Sequence, residues 1–366
     1  MVFCSECFVD PEIRARIKEI NTIGNCPICG GKGVFLYDSN KNKSLDGVFD
    51  NLIDVYSTRT DLPDEASDQD LKMLANIFQE DWEIFSSISV KDISDILKTV
   101  SYEMYSYLPE LFTQPVGIAE KYNQSYLQNH SILKNNSWND FLEGIKYKNR
   151  FHTQIINLDL LSNYCRLIAE DLPVSNKRYY RGRISNNSKG FFSTAFMGAP
   201  PCEKATAGRA NSDGISRLYL TNDRNTTLHE IRAAEYDYIT IGTFKQLSPL
   251  KIVNLSRISR ISPLSEDVDC TELAINKDCL AMINKEMAKT LRRGDSLLDY
   301  LPTQYICDFV MSIADEDGKS LFDGIMYQSA MNNKSYNLAI FDPSTFKCTY
   351  CRTYEIVSLK YKKRPC

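Results

Sequence analysis

The sequence predicts an α+β fold in three parts, and three observations carry that reading. Cysteine pairs crowd the first thirty residues. Apolar side chains at three- and four-residue intervals fill the stretch from about Val48 to Leu172, and short β-rich segments follow Pro173. The expected division is 1–38, 48–172 and 173–366, which agrees with about two or three domains at roughly 150 residues each.

In the first part, Cys4, Cys7, Cys26 and Cys29 form two C-x₂-C pairs with eighteen residues between them. Each pair presents two sulfurs from one tight turn, and two such turns complete a tetrahedron, so the spacing predicts a four-thiolate zinc ribbon. Four thiolates leave no open coordination position, and a module this short cannot fold on its own core. The expected metal is therefore structural Zn²⁺, assigned to folding and not to catalysis. The Gly30-Gly31 turn leads into a strand-like 33–37, and the polar DSNKNKSLDG after it reads as a linker.

The second part is expected to be helical over 70–82, 92–108, 139–151 and 158–172. In the last of these, Leu160, Leu161, Tyr164, Leu167 and Ile168 fall on one face. The third part holds strand candidates RYYRGRI, RLYLTND, YDYITIGTFK, KIVNL, FDGIMYQS and YNLAIFD. A helical region from about Glu266 to Ile313 interrupts them, so it is α+β and not a regular βαβ alternation. No repeat at a fixed period and no low-complexity tract is present.

Composition narrows the function classes. Hydrophobic residues make up 43%, enough for a sizeable interior, while 43 Lys plus Arg stand against 47 Asp plus Glu, a net charge of −4. That balance supplies no broad positive field for non-specific nucleic-acid binding. The basic run Lys360 to Arg364 reads as a solvated tail, and in the ribbon Glu6, Asp10, Glu12 and Glu19 offset Arg14, Arg16, Lys18 and Lys32. No apolar run approaches the roughly 20 residues of a spanning helix, and MVFCSECFVD lacks the regions of a signal peptide, so a cytoplasmic address is expected and no membrane partner. With that address, the twelve cysteines are read as metal ligands and small hydrophobes instead of disulfides; Cys348 and Cys351, lacking a second pair, are expected to be buried in a strand.

Candidate site residues gather in the third part. Arg181 and Arg183 flank Gly182 with strand alternation, so they share one face, which is either solvated or anion-binding. Gly208, Arg209 and Asn211 precede a turn and the strand carrying Tyr219. Thr227 and Glu230 fit an S/T-x-x-E capping box, the plain reading of that glutamate; Asn337 opens an apolar strand; and His229 lacks a matching nucleophile and third group.

Taken in order, these pieces resemble the RES family, named for its Arg, Glu and Ser, over about Arg178 to Asp342. The resemblance rests on Tyr180-Arg181, the G-R-x-N turn at Gly208 to Asn211, the L-Y-L strand and the following helix with Glu230. It continues through Tyr300, Pro302, Thr303 and Gln304, and through D-G-I-x-Y-x-S with N-L at Asp323 to Ser329 and Asn337-Leu338. Ribbon and helical segment together look like the HEPN/RES N-terminal region of longer members. The R-x₄₋₆-H motif of HEPN ribonucleases is missing from the helical segment, where Arg150-Phe151-His152 is too short; Arg224 and His229 have the spacing by chance. Ala207 and Ala210 stand where the family often has a glycine and a tryptophan.

The resemblance implies a fold similar to ADP-ribosyltransferases and a bacterial toxin acting on NAD⁺ by hydrolysis or phosphorolysis, or transferring ADP-ribose to a protein. Arg181 and Arg209, with Arg183 a third, would hold the diphosphate, because the guanidinium fork matches phosphate. Glu230 would stabilise the developing sugar cation or activate the acceptor. Tyr219 would stack on or bond the substrate, with Ser329 orienting an arginine or ribose. Asn211 and Asn337 complete the expected pocket. An antitoxin or trigger protein is the expected partner of the N-terminal half. The rival class is an adaptor that binds nucleotide without cleaving it.

Overall fold

A computed structural model describes residues 1–191, 193–289, 296–329 and 334–358; the basic run Lys360 to Arg364 lies outside them. The chain forms two compact units, Met1–Asn135 with Arg260–Lys277, and Asn136–Ser259 with Asp278–Cys366.

In the first unit, β1 (Val2–Cys4), β2 (Ile23–Gly24) and β3 (Val34–Asp38) form a small antiparallel sheet in the order β1-β3-β2. The helix Pro11–Glu19 starts where the Asp10 carboxylate accepts from the Glu12 and Ile13 amides and Pro11 presets φ, and it buries Ile13 and Ile17. Phe3 packs edge-on to Phe8 and tilts against Tyr37. The stretch expected as a linker is tied down: Leu45 is 1% exposed, and the Gly47 amide donates to the Val100 carbonyl. Val100 ends the helix Val90–Val100, whose Ile93, Ile96 and Leu97 are buried at the predicted period. The helix expected over 70–82 is broken into a turn at Leu74–Asn76 and a π-helical turn at Ile77–Asp81. A two-residue pairing joins β4 (Ser57–Thr58) to β5 (Val116–Gly117).

The second unit is built on eight strands: β6 (Ala169–Leu172), β7 (Tyr179–Ser185), β8 (Leu218–Thr221), β9 (Tyr238–Gln246), β10 (Leu250–Asn254), β11 (Gly324–Gln328), β12 (Tyr336–Ile340) and β13 (Phe346–Glu355). Their order is β13-β9-β7-β8-β12-β11-β10-β6, antiparallel except for β10 with β11. The helix expected to run to residue 172 stops at Leu167, because Ala169–Leu172 leaves to pair with β10. Helices Cys270–Ala288 and Leu301–Ser312 fill the helical interruption predicted between strands. One sheet face carries the core of Tyr179, Leu218, Leu220, Phe244, Ile252, Leu338 and Ile340. Cys348 and Cys351 do sit on a strand, but half-buried at this core's margin, where a register shift interrupts β13.

One join in this sheet is weak. β7 pairs with β9 along its whole length, from Tyr179 to Ser185, yet with β8 only at Tyr180 opposite Thr221. Past that pair both strands keep an unpaired edge, and Arg181 is the first residue beyond the parting. Unpaired strand edges are positions where backbone donors and acceptors remain available to a ligand.

Candidate functional site

Glu230 ends the five-residue helix Thr226–Glu230. Its Oε1 accepts from Ser329 Oγ at 3.0 Å and from Asn337 Nδ2 at 2.8 Å; both donors are 3% exposed. Ser329 follows β11 and Asn337 lies in β12, so two adjacent strands fix one oxygen. Among the described residues no hydrogen bond reaches Oε2. This overturns the capping-box reading: Glu230 is at the far end of its helix, and the start is held by Asp223, which accepts from the Thr226 amide and hydroxyl at 2.8 Å.

Glycine lets this helix come close. A Cβ on Gly182 would lie 3.1 Å from Ile231 Cδ1 and 3.3 Å from Thr227 Cβ, tighter than ordinary contact. Gly182 therefore faces the Glu230 helix, and the pleat sends Arg181 and Arg183 to the opposite face. There Arg183 stacks on the Phe191 ring at 4.4 Å and donates to the Phe196 carbonyl. Arg181 has no such company: its Nε and Nη1 are buried without a hydrogen-bond partner among the described residues. Desolvation first, and the charge of Arg183 second, pull its pKa down to about 10.

The G-R-x-N turn is held from three sides. Tyr219 on β8 donates its hydroxyl to Asn211 Oδ1 at 2.6 Å and accepts from the Ala210 amide at 3.0 Å. Asn211, 2% exposed, spends its amide hydrogens on the Thr206 and Ser212 carbonyls, and Gln304 donates to the Gly208 and Asn211 carbonyls at 2.9 Å each. Gly208 leaves room for this, since a Cβ there would sit 2.9 Å from both Asn211 Oδ1 and Tyr219 Oη. The braced turn presents Arg209, which donates to the Met287 carbonyl at 3.0 Å and lies 6.0 Å above the Tyr327 ring. Tyr327 is 4% exposed, and burial pushes its phenol well up, with Tyr219 and Glu230 adding to the effect and Arg209 opposing it.

The structure thus joins Glu230 to Ser329 and Asn337, and Tyr219 to Asn211. No hydrogen bond or ion pair among the described residues ties either group to Arg181 or Arg183. Asn211 and the Tyr219 hydroxyl are saturated by the turn, which is a bracing geometry and not an open binding one. Gln304 and Tyr327 received no role from the sequence, although each occupies a position in the motifs quoted above. His229 is exposed and its ring bonds nothing among the described residues.

The first unit holds a separate candidate metal centre. The Sγ atoms of Cys4, Cys7, Cys26 and Cys29 all lie within 4.8 Å of one another. The separations of Cys4–Cys29 (3.4 Å), Cys4–Cys7 (3.7 Å) and Cys7–Cys26 (3.7 Å) approach the edge of a tetrahedron with Zn–S bonds, about 3.8 Å for bonds of about 2.3 Å. Gly30, at φ +73°, closes the second knuckle and donates to the Cys26 carbonyl. The four thiols fit zinc.

No curated protein and no solved structure matches the chain. No helix among the described residues is long and apolar enough to cross a membrane. A family model does match, that of the RES domain, over residues 181–359, and this stretch contains the Glu230 cradle, the braced turn and all but the opening residues of β7. Residues 181–359 of this chain therefore carry a RES domain, all but Arg260–Lys277 of it in the second unit.

Proposed function

We propose that the protein binds NAD⁺ and cleaves its nicotinamide-ribose bond, lowering the NAD⁺ pool in the manner of a bacterial toxin. The observation that carries this reading is the Glu230 carboxylate, with one oxygen gripped by Ser329 and Asn337 and the other open. Bond cleavage sends the electron pair to the pyridine nitrogen, so neutral nicotinamide departs and positive charge develops on the sugar. A fixed carboxylate stabilises that charge without reorganising as it forms. The open Oε2 accepts from a ribose hydroxyl or takes a proton from the attacking acceptor.

Arg181 supplies the anion contact. Arg181 follows the one residue that pairs β7 with β8, and a diphosphate would satisfy its two buried, unpartnered nitrogens. Arg209, presented by the braced turn, is the second phosphate contact, and Arg183 a third. Tyr219 and Asn211 act through the turn, and Asn337 through Glu230. The four-cysteine module holds a structural Zn²⁺ and, with the rest of the N-terminal half, offers the place for a restraining antitoxin or trigger.

The test is purified full chain incubated with NAD⁺, with and without phosphate, followed by chromatography of products, beside Glu230→Ala. Nicotinamide released with free ADP-ribose makes the acceptor water. ADP-ribose 1″-phosphate makes it phosphate, and label on a protein makes the enzyme a transferase. Nucleotide-dependent thermal stabilisation without any release would replace the enzyme by a binding module.

A further inference from the structure

A second cationic feature lies at the opposite end of β7 from Ser185. A cavity of about 400 Å³ is lined by Asn176, Lys177, Arg178, Lys245, Thr349 and Tyr350, among others, and no acidic side chain lines it. That volume falls within the roughly 300–1,000 Å³ of small-ligand pockets. Lys245 on β9 stands directly opposite Lys347 on β13. The β7 register, Tyr179 with Phe244 and Tyr180 with Thr243, carries Arg178 toward Lys245. Three cations thus form a row across three neighbouring chain segments of a protein whose net charge is −4.

Like charges directly opposite on a sheet are destabilising. None of Lys177, Arg178, Lys245 and Lys347 has an ion-pair partner among the described residues, although Lys177 lies over the Tyr336 ring at 4.9 Å. Lys347 alone reads as a guard against edge pairing, since β13 ends the sheet. Lys245 does not, because β9 is an interior strand. Tyr350, opposite Thr243 on the same face as the lysine pair, is 54% exposed.

We infer that this pocket is an anion site for a nucleoside monophosphate unit, free or within a single strand, its phosphate between Arg178 and Lys245 and its base on Tyr350. Stacked bases and phosphate-directed cations are the two parts that sequence-tolerant nucleotide recognition requires. The inference does not depend on the NAD⁺ chemistry proposed above.

The test titrates the full chain by calorimetry with AMP, adenosine and inorganic phosphate, and by fluorescence anisotropy with a labelled single-stranded oligoadenylate. AMP should bind and adenosine should not. Lys245→Gln should weaken AMP tenfold or more, and Tyr350→Ala should weaken AMP while sparing inorganic phosphate. Oligonucleotide binding that follows the same variants assigns the site to a strand; AMP alone assigns it to the free nucleotide. Lys245→Gln should also melt higher, because Lys347 loses a repulsive neighbour. AMP binding that survives Lys245→Gln but not Arg181→Ala, equal binding of adenosine, or no binding below millimolar concentration would each overturn the inference. So would a lower melting temperature for Lys245→Gln, which would make the lysine a packing residue.

Discussion

Glu230 and Arg181 are the two charges expected to meet the substrate, and the protein treats them oppositely. Glu230 is exposed, yet one of its oxygens is held by two buried donors. Arg181 is mostly buried, yet two of its nitrogens have no hydrogen-bond partner among the described residues. The difference separates two kinds of preparation. On the proposed reading, a carboxylate whose position matters at the moment of charge development is fixed beforehand, whereas a cation that is to meet an anion is left uncompensated, so that part of the binding free energy would come from relieving its isolation.

The largest effect that would break this comparison comes from Glu230→Gln. The amide keeps the shape and removes the charge, so nicotinamide release should fall on the order of 10³-fold while KM changes little. A rapid-quench or steady-state assay of NAD⁺ cleavage reads both. A loss confined to KM would make Glu230 a binding group and not a stabiliser of the developing cation.

Arg181→Met should separate stability from binding. Because burial holds the folded pKa near 10, below that of a free guanidinium, the charged form is disfavoured by folding and the cost is complete at neutral pH. It fades only as pH rises from about 10 toward the unfolded value. Replacing this unpartnered cation by an apolar chain should therefore raise stability by about 1–3 kcal/mol in chemical denaturation, while NAD⁺ affinity falls about 10- to 100-fold. A variant that is less stable would mean that Arg181 is already paired in the folded protein.

How much of this was legible in the sequence depends on whether the signal was local. The cysteine quartet was readable because metal geometry constrains spacing within a few residues of each knuckle. The arginine strand was readable from alternation. Thr227 and Glu230 misled because T-x-x-E has the same spacing wherever it falls in a helix, and the chain had already placed a cap at Asp223. Ala169–Leu172 misled because its partner is β10, some eighty residues away, and the helix period before it continues smoothly into the strand. Asn211 was visible as a site residue, but its saturation by Thr206, Ser212 and Tyr219 is a property of the folded turn.

Ser329→Ala sharpens the comparison at smaller scale. It removes one of the two donors to Glu230 Oε1 and leaves Asn337, so the carboxylate keeps its charge and loses part of its fixation. Turnover should fall about tenfold with the NAD⁺ affinity nearly unchanged, since charge-assisted hydrogen bonds contribute about 1.5–3 kcal/mol. The double variant with Asn337→Ala should lose more than the sum of the two, if the donors share one oxygen as a unit.

The smallest effect is expected at Gln304, which touches neither charge. Its amide nitrogen holds the Gly208 and Asn211 carbonyls, and through them sets the position of Arg209. Gln304→Met keeps the length and removes both hydrogen bonds, taking the side-chain donor from the Gly208 carbonyl while the Asn211 carbonyl still accepts from the Gly208 amide. KM for NAD⁺ should rise a few-fold with turnover of bound substrate intact, because the turn positions the proposed Arg209 anion contact and not the Glu230 cradle. Gln304→Glu offers two acceptors to two acceptors and should do worse than Met. Equal loss of turnover in both variants would show that the turn and the cradle act as one element, and the division between a fixed carboxylate and a waiting cation would then fail at the place where the structure draws it.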